Sequence, residues 1–210
     1  MELLKILNTL NEDITDAYDT EGNMLSQEQV NFFKDSKIRD RKHNLRVCYH
    51  GSDAEFNQFK IDLLGKNSGN RGWFGNGFYF TTSDKLAKSY GSIVNKYYLN
   101  IKNPFTWSSE DSGMYAYGKG MLDSIGSGTF KSLVLDPMSY VDDSVRDTFT
   151  DMLKEDGYDG VIYSYGATGY KPNNISGVSK AFEIVAFYPN QIKLITNKNP
   201  SDSDNITEGI

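Results

Sequence analysis

Cysteine and histidine are scarce in this chain. It has one cysteine, Cys48, and two histidines. A single cysteine excludes an internal disulfide framework and is typical of a reducing compartment, so we expect a cytoplasmic protein. Because no group of cysteines and histidines is present, the sequence predicts no zinc site, and we expect no bound metal.

Long hydrophobic segments are also missing. No apolar run approaches the roughly 20 residues that a membrane-spanning helix requires. Residues 1–7 lack the charged leader, the unbroken apolar core and the cleavage site of a signal peptide. We therefore expect neither insertion into a membrane nor export.

Basic residues are in deficit, with 22 lysines and arginines against 28 acidic residues and a net charge of −6. This balance argues against broad affinity for nucleic acid, because phosphate binding requires a basic face. A small local patch for a nucleic-acid acceptor stays open. The hydrophobic content of 38% is typical of a globular protein, and we expect one monomeric catalytic domain with a single core.

Three short segments place a chemically active residue in or beside an apolar strand. His50 ends the alternating run 45–49 and precedes Gly51 and Ser52. Tyr79 lies inside the segment 75–81, and Glu183 opens the apolar segment 182–187. Neutral imidazole can donate at one nitrogen and accept at the other. Each residue also has a plain structural alternative, since tyrosine is common in strands and an acid can be a solvated strand end.

A second tyrosine lies at a suggestive distance from the first. Tyr79 and Tyr90 are 11 residues apart. The residues between them predict a turn and a short helix, with Ser83 or Asp84 as N-cap. Leu86, Ala87 and Tyr90 share one face of that helix. This arrangement can bring the second ring back towards the first.

In their order and strand contexts, these segments resemble the His-Tyr-Glu class of ADP-ribosyltransferases, which includes diphtheria toxin and the poly(ADP-ribose) polymerases. The lead-in 32–40 and the run 96–105 are most similar to the ADP-ribosyltransferase domains of phage and plasmid polyvalent proteins. The resemblance covers roughly residues 30–195. It implies mono-ADP-ribosyl transfer from the co-substrate NAD to a protein or nucleic-acid acceptor, by a phage, mobile-element or toxin-type effector.

The resemblance also implies the role of each site residue. Glu183 binds the ribose 2′-hydroxyl and stabilises positive charge on the ribose as the bond to nicotinamide breaks. His50 binds a ribose hydroxyl, and the two tyrosines sandwich the nicotinamide ring. The implied catalytic residues are Glu183, His50 and Tyr79. The implied NAD-binding residues are His50, Gly51, Ser52, Arg71, Tyr79, Ala87 and Tyr90.

Two further segments receive weaker predictions. The glycine-rich segment 65–72 is not a phosphate-binding P-loop, but we expect its Arg71 to meet the NAD diphosphate. The polar segment 165–181 precedes the glutamate strand and offers Tyr165, Tyr170 and Lys171 as an acceptor-binding loop. An ordinary solvent-exposed loop is the alternative for that segment.

The order of short strands and few helices predicts an α+β fold. The resemblance implies the ADP-ribosyltransferase fold, with two small, mainly antiparallel sheets packed at an angle around an NAD cleft. We expect an N-terminal helical segment over 1–35, a catalytic domain over 36–196 and a disordered polar tail over 197–210. Two functional alternatives remain, an NAD glycohydrolase that uses the same site and an inactive NAD-binding module.

Overall fold

The computed structural model describes residues 17–64, 75–108, 143–164 and 181–207. Its helices are α1 (Gln27–Phe32), α2 (Asp84–Ala87) and α3 (Asp143–Glu155), and Ile61–Leu63 and Pro189–Gln191 form 3-10 turns. Its strands are β1 (Cys48–Ser52), β2 (Phe78–Thr81), β3 (Ile93–Leu99), β4 (Pro104–Ser108), β5 (Gly160–Ser164), β6 (Phe182–Ala186) and β7 (Ile192–Leu194). The helix predicted over residues 2–10 lies outside the described residues.

Within the described residues, the seven strands form one mixed sheet in the order β4-β5-β6-β2-β1-β3-β7. The β4–β5 pair is parallel and the remaining pairs are antiparallel. An α+β architecture with mainly antiparallel pairing is therefore present, but as one continuous sheet where the sequence predicted two. The two parts remain joined because β1 and β2 still share a pair of residues.

The junction between β1 and β2 is the narrowest point of the sheet. β1 pairs with β3 along its whole length, from Cys48 to Ser52, whereas β1 and β2 share one pair, Tyr49 with Thr81. Beyond that pair the two strands diverge. The sheet therefore consists of a four-stranded part, β4-β5-β6-β2, and a three-stranded part, β1-β3-β7. The two parts meet only at the pair of Tyr49 with Thr81, and this junction is called the hinge below.

The main core covers one face of this sheet. Alternation along β2 buries Phe78 and Phe80 on that face, and Tyr97 of β3 and Ile184 of β6 join them. A second cluster packs α1 against the sheet through Phe33, which is fully buried beside Tyr98. Aromatic side chains therefore contribute to both clusters.

Local interactions define the helix ends. Ser26 caps α1 in a capping box with Gln29. Gly157 adopts a φ of +84° just after α3, a conformation that glycine takes without strain. Pro104 begins β4 at the edge of the sheet, where its missing N–H costs no ladder hydrogen bond.

The prediction of a disordered tail from residue 197 is wrong for residues 197–207. Ile206 is 1% exposed and belongs to the main core. Lys193 of β7 is completely buried, and its Nζ donates to the carbonyl oxygens of Ser203 and Asn205. A buried ammonium requires such partners, so the polar residues of this segment bind the core instead of solvent.

Candidate active site

The three predicted catalytic residues lie on three adjacent strands. Glu183 is on β6, Tyr79 on β2 and His50 on β1, and these strands are neighbours in the sheet. His50 is in the middle of β1, not at its end as the sequence suggested. Residues more than 130 positions apart in the chain are thereby brought to the same region of the sheet.

His50 is oriented by a hydrogen bond to the main chain of Tyr79. Its Nδ1 lies 2.7 Å from the Tyr79 carbonyl oxygen. A carbonyl oxygen only accepts, so Nδ1 carries the proton and Nε2 presents a lone pair. Burial lowers the pKa of His50, and the bond to Tyr79 opposes this only in part. The imidazole is therefore neutral at neutral pH, with an acceptor nitrogen available to a hydroxyl group.

Aromatic rings enclose the His50 imidazole. Its ring centroid lies 5.1 Å from that of Phe59, 5.4 Å from Phe80, 6.1 Å from Phe56 and 6.4 Å from Tyr97. These contacts restrict rotation of the ring and provide the apolar surroundings that disfavour its charged form. The side chain nevertheless remains partly exposed.

The register of the strands places Glu183 and Tyr79 on the same face of the sheet. Glu183 lies opposite Thr81, and Tyr79 lies opposite Val185. Glu183 and Tyr79 are thus diagonal neighbours on adjacent strands, an arrangement in which the two Cα atoms lie about 7–8 Å apart. His50 packs with Phe80 on the other face and reaches the Tyr79 carbonyl at the point where β1 and β2 diverge.

Hydrogen bonds fix both the main chain and the side chain of Tyr79. Its hydroxyl donates a hydrogen bond of 2.7 Å to the carbonyl oxygen of Gly75. Gly75 adopts a φ of +97°, which favours glycine at this turn. Tyr79 is therefore fixed at both ends, by His50 at its carbonyl group and by Gly75 at its hydroxyl.

Gly51 and the end of α2 meet backbone to backbone. A Cβ atom at Gly51 would lie 2.0 Å from the carbonyl oxygen of Ala87, and one at Gly91 would lie 2.3 Å from the main chain of Ser52. Ser83 is the N-cap of helix α2, as predicted for Ser83 or Asp84, because its side chain accepts a hydrogen bond from the Leu86 N–H. The structure therefore brings Gly51 and Ala87, two of the implied NAD-binding residues, into contact.

Tyr90 and Ser52 lie beside this contact. The Tyr90 N–H donates to the Ala87 carbonyl oxygen at 3.0 Å, and the Tyr90 side chain is 42% exposed. The Ser52 hydroxyl donates to the Ala54 carbonyl oxygen at 2.6 Å, within its own turn. Tyr90 is thus placed next to Gly51, while the Ser52 hydroxyl bonds within its own turn.

Four predicted residues, Arg71, Tyr165, Tyr170 and Lys171, lie outside the described residues. The sequence analysis did not identify Gly91, which packs against the Ser52 main chain, although its position directly after Tyr90 was a signal. It also did not identify Thr150 of α3, whose hydroxyl accepts a hydrogen bond from Asn76, and for which the sequence gives no signal. Burial raises the pKa of Cys48 to about 12, so its thiol stays protonated and is not a nucleophile.

The described part of the chain has neither a candidate metal site nor a membrane-spanning helix. No group of three or more histidine, cysteine or acidic side chains there is placed to hold a metal ion. No helix in the same ranges is long and apolar enough to cross a membrane.

Known proteins resemble this chain at two levels, a solved structure and a sequence family. The crystal structure of an anti-CRISPR protein is 15% identical to this chain, with a TM-score of 0.38, and the match covers 70% of this chain and 90% of that one. A likeness at that level carries no functional argument. Curated proteins give no match. The model of the family "ADP-Ribosyltransferase in polyvalent proteins" matches residues 40–202, which include His50, Tyr79 and Glu183. The chain therefore belongs to the ADP-ribosyltransferase family of polyvalent proteins.

Proposed function

We propose that the protein is a mono-ADP-ribosyltransferase that breaks the nicotinamide–ribose bond of NAD and transfers ADP-ribose to a macromolecular acceptor. Family membership supports ADP-ribosylation with NAD as substrate. The observation that carries the proposal is the bond from His50 Nδ1 to the Tyr79 carbonyl oxygen, which links β1 to β2, the strand next to that of Glu183. This bond gives a neutral histidine with a free acceptor nitrogen beside the proposed stacking tyrosine.

The residues present fit NAD. An acceptor nitrogen on His50 matches a ribose hydroxyl, which can donate. Gly51 would pair its N–H and C=O groups with the planar carboxamide, while its missing side chain lets the Ala87 carbonyl oxygen lie against it. Tyr79 and Tyr90 would hold the nicotinamide ring between them, since aromatic rings bind a planar ligand without needing charge. We place this cleft at the hinge where β1 and β2 diverge.

Glu183 has the chemical role in this proposal. Breaking the bond to nicotinamide leaves positive charge on the ribose, and a carboxylate at the 2′-hydroxyl stabilises that charge as it develops. Its position on β6, firmly paired with β2 on one side and β5 on the other, gives it a rigid base. Preorganised charge of this kind does not have to reorient during the reaction.

The remaining assignments concern NAD phosphates and acceptor. We propose Arg71 for the NAD diphosphate, and Tyr165, Tyr170 and Lys171 for acceptor choice. We also propose that the protein acts as an effector of a phage, mobile element or toxin system, on the basis of its family. Treating a labelled lysate with protease or nuclease distinguishes a protein acceptor from a nucleic-acid acceptor.

The test uses NAD labelled in its adenylate part, incubated with the protein and a bacterial lysate that is then treated with protease or nuclease. Wild type and Glu28→Gln, which removes an exposed carboxylate on α1, should transfer label to a macromolecule, and Glu183→Gln should not. Discrete products without ladders would support mono-ADP-ribosylation. Label found only as free ADP-ribose would identify an NAD glycohydrolase, and intact NAD with wild type would refute both activities.

A further inference from the structure

A chain of contacts links α3 to the Tyr79 side chain. The Oγ1 atom of Thr150 accepts a hydrogen bond of 2.7 Å from the N–H of Asn76. The carbonyl oxygen of Gly75 accepts a hydrogen bond of 2.7 Å from the Tyr79 hydroxyl. Thr150 is 2% exposed, so its hydroxyl lies in the interior, on the side of α3 that packs on this turn.

The two bonded backbone groups belong to one peptide unit, that between Gly75 and Asn76. A peptide is planar and trans, so its N–H and C=O point in opposite directions and rotate together. Holding the N–H on Thr150 therefore sets the direction in which the carbonyl meets the Tyr79 hydroxyl. Without that bond, a peptide next to glycine can rotate at little cost.

Other contacts from α3 hold the same peptide in place. A Cβ atom at Gly75 would lie 2.7 Å from Oγ1 of Thr150 and 3.2 Å from the Phe149 ring, so the helix packs directly on the glycine. The Asn76 side chain donates to Asp147, one turn before Thr150 on α3. Helix α3 thus contacts both residues of this peptide.

We infer that Thr150 is a positioning residue for NAD binding, because it orients the Gly75–Asn76 peptide that fixes the Tyr79 hydroxyl and thereby the plane of the Tyr79 ring. Thr150 acts through Tyr79 and does not itself contact NAD. The inference rests on the proposed function, in which the Tyr79 ring stacks on nicotinamide. It adds a residue from α3, an element that carries none of the predicted site residues.

Three variants separate the hydroxyl from general packing. Thr150→Val keeps the shape of the side chain but leaves the Asn76 N–H without its acceptor. Thr150→Ser keeps the hydroxyl. Ser36→Ala is the matched control, because Ser36 is 3% exposed and its hydroxyl accepts from Ile38 and donates to Leu99, outside the site. Loss of the hydroxyl from Thr150 or Ser36 should lower the melting temperature in both cases.

Two readouts are needed. The Kd for NAD, measured by calorimetry, should rise in Thr150→Val by roughly two- to tenfold, the effect of one hydrogen bond, with kcat little changed. The fluorine NMR signal of Tyr79 in fluorotyrosine-labelled protein, assigned by its disappearance in Tyr79→Phe, should move in Thr150→Val. Thr150→Ser and Ser36→Ala should match wild type in both readouts.

An unmoved Tyr79 signal or an unchanged Kd in folded Thr150→Val would overturn the inference. A Kd that rises equally in Ser36→Ala would assign Thr150 to stability alone and overturn it too. If Thr150→Val does not fold, Asp147→Ala replaces it, since Asp147 is exposed, and its Tyr79 signal must move. If wild type binds no NAD, the proposed function fails, and the fluorine signal alone decides whether Thr150 positions Tyr79.

Discussion

Nδ1 of His50 lies 2.7 Å from the carbonyl oxygen of Tyr79, and both residues lie beyond Tyr49 and Thr81, the one backbone pair that their strands share. A side chain therefore replaces the ladder hydrogen bond at the point where β1 and β2 diverge. The same bond determines which imidazole nitrogen carries the proton. The orientation of His50 thus depends on the geometry of the hinge.

Glu183→Gln should lower kcat by about a hundredfold or more while leaving the Kd for NAD nearly unchanged, because the carboxylate acts on charge that develops in the transition state. Single-turnover kinetics and calorimetry measure the two quantities separately. Glu28→Gln serves as the control and should match wild type. Turnover close to wild type in Glu183→Gln would show that this carboxylate is not catalytic.

The pH dependence of stability should report on His50. Burial lowers the pKa of His50 in the folded protein, so below about pH 6.5 the unfolded chain takes up a proton that the folded His50 does not. The free energy of unfolding should therefore fall as the pH decreases below that value. Urea unfolding between pH 5 and 7.5 measures it.

His43 provides the comparison for this pH effect, because it is exposed and lies outside the site. His43→Gln should keep the fall in unfolding free energy, and His50→Gln should reduce it. An equal slope in wild type and His50→Gln would mean that another group is responsible.

Asp19 should contribute to stability more than its counterpart Asp40. Both carboxylates accept hydrogen bonds from an asparagine four residues later, but Asp19 is 2% exposed and also accepts from Tyr98. Burial acts to raise the pKa of Asp19, yet its hydrogen bonds lower it overall. Asp19→Asn should lower the free energy of unfolding by about 1–3 kcal/mol.

The sign of the Asp19 effect follows from its lowered pKa. Its contribution is complete above the unfolded pKa of 3.8 and is lost as the pH falls through the folded value. Acid unfolding monitored by circular dichroism should therefore begin at higher pH in Asp19→Asn than in wild type. Asp40→Asn should cause a smaller change, and an equal effect of the two substitutions would contradict the role of burial.

Gly51→Ala should weaken NAD binding and lower the melting temperature. The added Cβ would lie 2.0 Å from the Ala87 carbonyl oxygen, which is main chain and has little freedom to move. Strand β1 and helix α2 must then separate, and Tyr90 moves with α2. Calorimetric titration with NAD and thermal unfolding check both effects. A variant with unchanged affinity would place nicotinamide elsewhere.

Lys193→Met should release residues 201–207 from the core. Methionine has a similar length but cannot donate to the carbonyl oxygens of Ser203 and Asn205. Limited proteolysis followed by mass spectrometry should show faster cleavage in this segment than in wild type. Lys198→Met is a suitable control, because Lys198 is exposed. Equal cleavage rates would mean that the Lys193 ammonium does not hold the segment.

The residues that could be predicted from sequence are those whose signal is local. Ser26, Ser83 and Gly157 act within a few residues of their helix ends, and the structure has Ser83 as the N-cap, as predicted. His50, Tyr79 and Glu183 were recognisable because each stands in a short apolar strand. Their placement on neighbouring strands then follows from the pairing of those strands.

The features that were not predicted depend on contacts between distant parts of the chain. Ile206 is a lone apolar residue in a polar segment, and nothing near it indicates that it packs in the core. Thr150 reaches the site only because α3 packs on Gly75. One shared pair, Tyr49 with Thr81, makes the sheet continuous, and such a difference between one sheet and two leaves no trace in local pattern.

The C-terminal segment has a further consequence for β7, which is the last strand of the sheet. The outward-facing N–H of Leu194 donates to the Ile206 carbonyl oxygen, and the Leu194 carbonyl oxygen accepts from Asn197. These bonds occupy groups that an unprotected edge strand would offer to another chain. The segment therefore protects β7 from edge-to-edge aggregation. Without it, the exposed edge of β7 could pair with a strand from another copy of the protein.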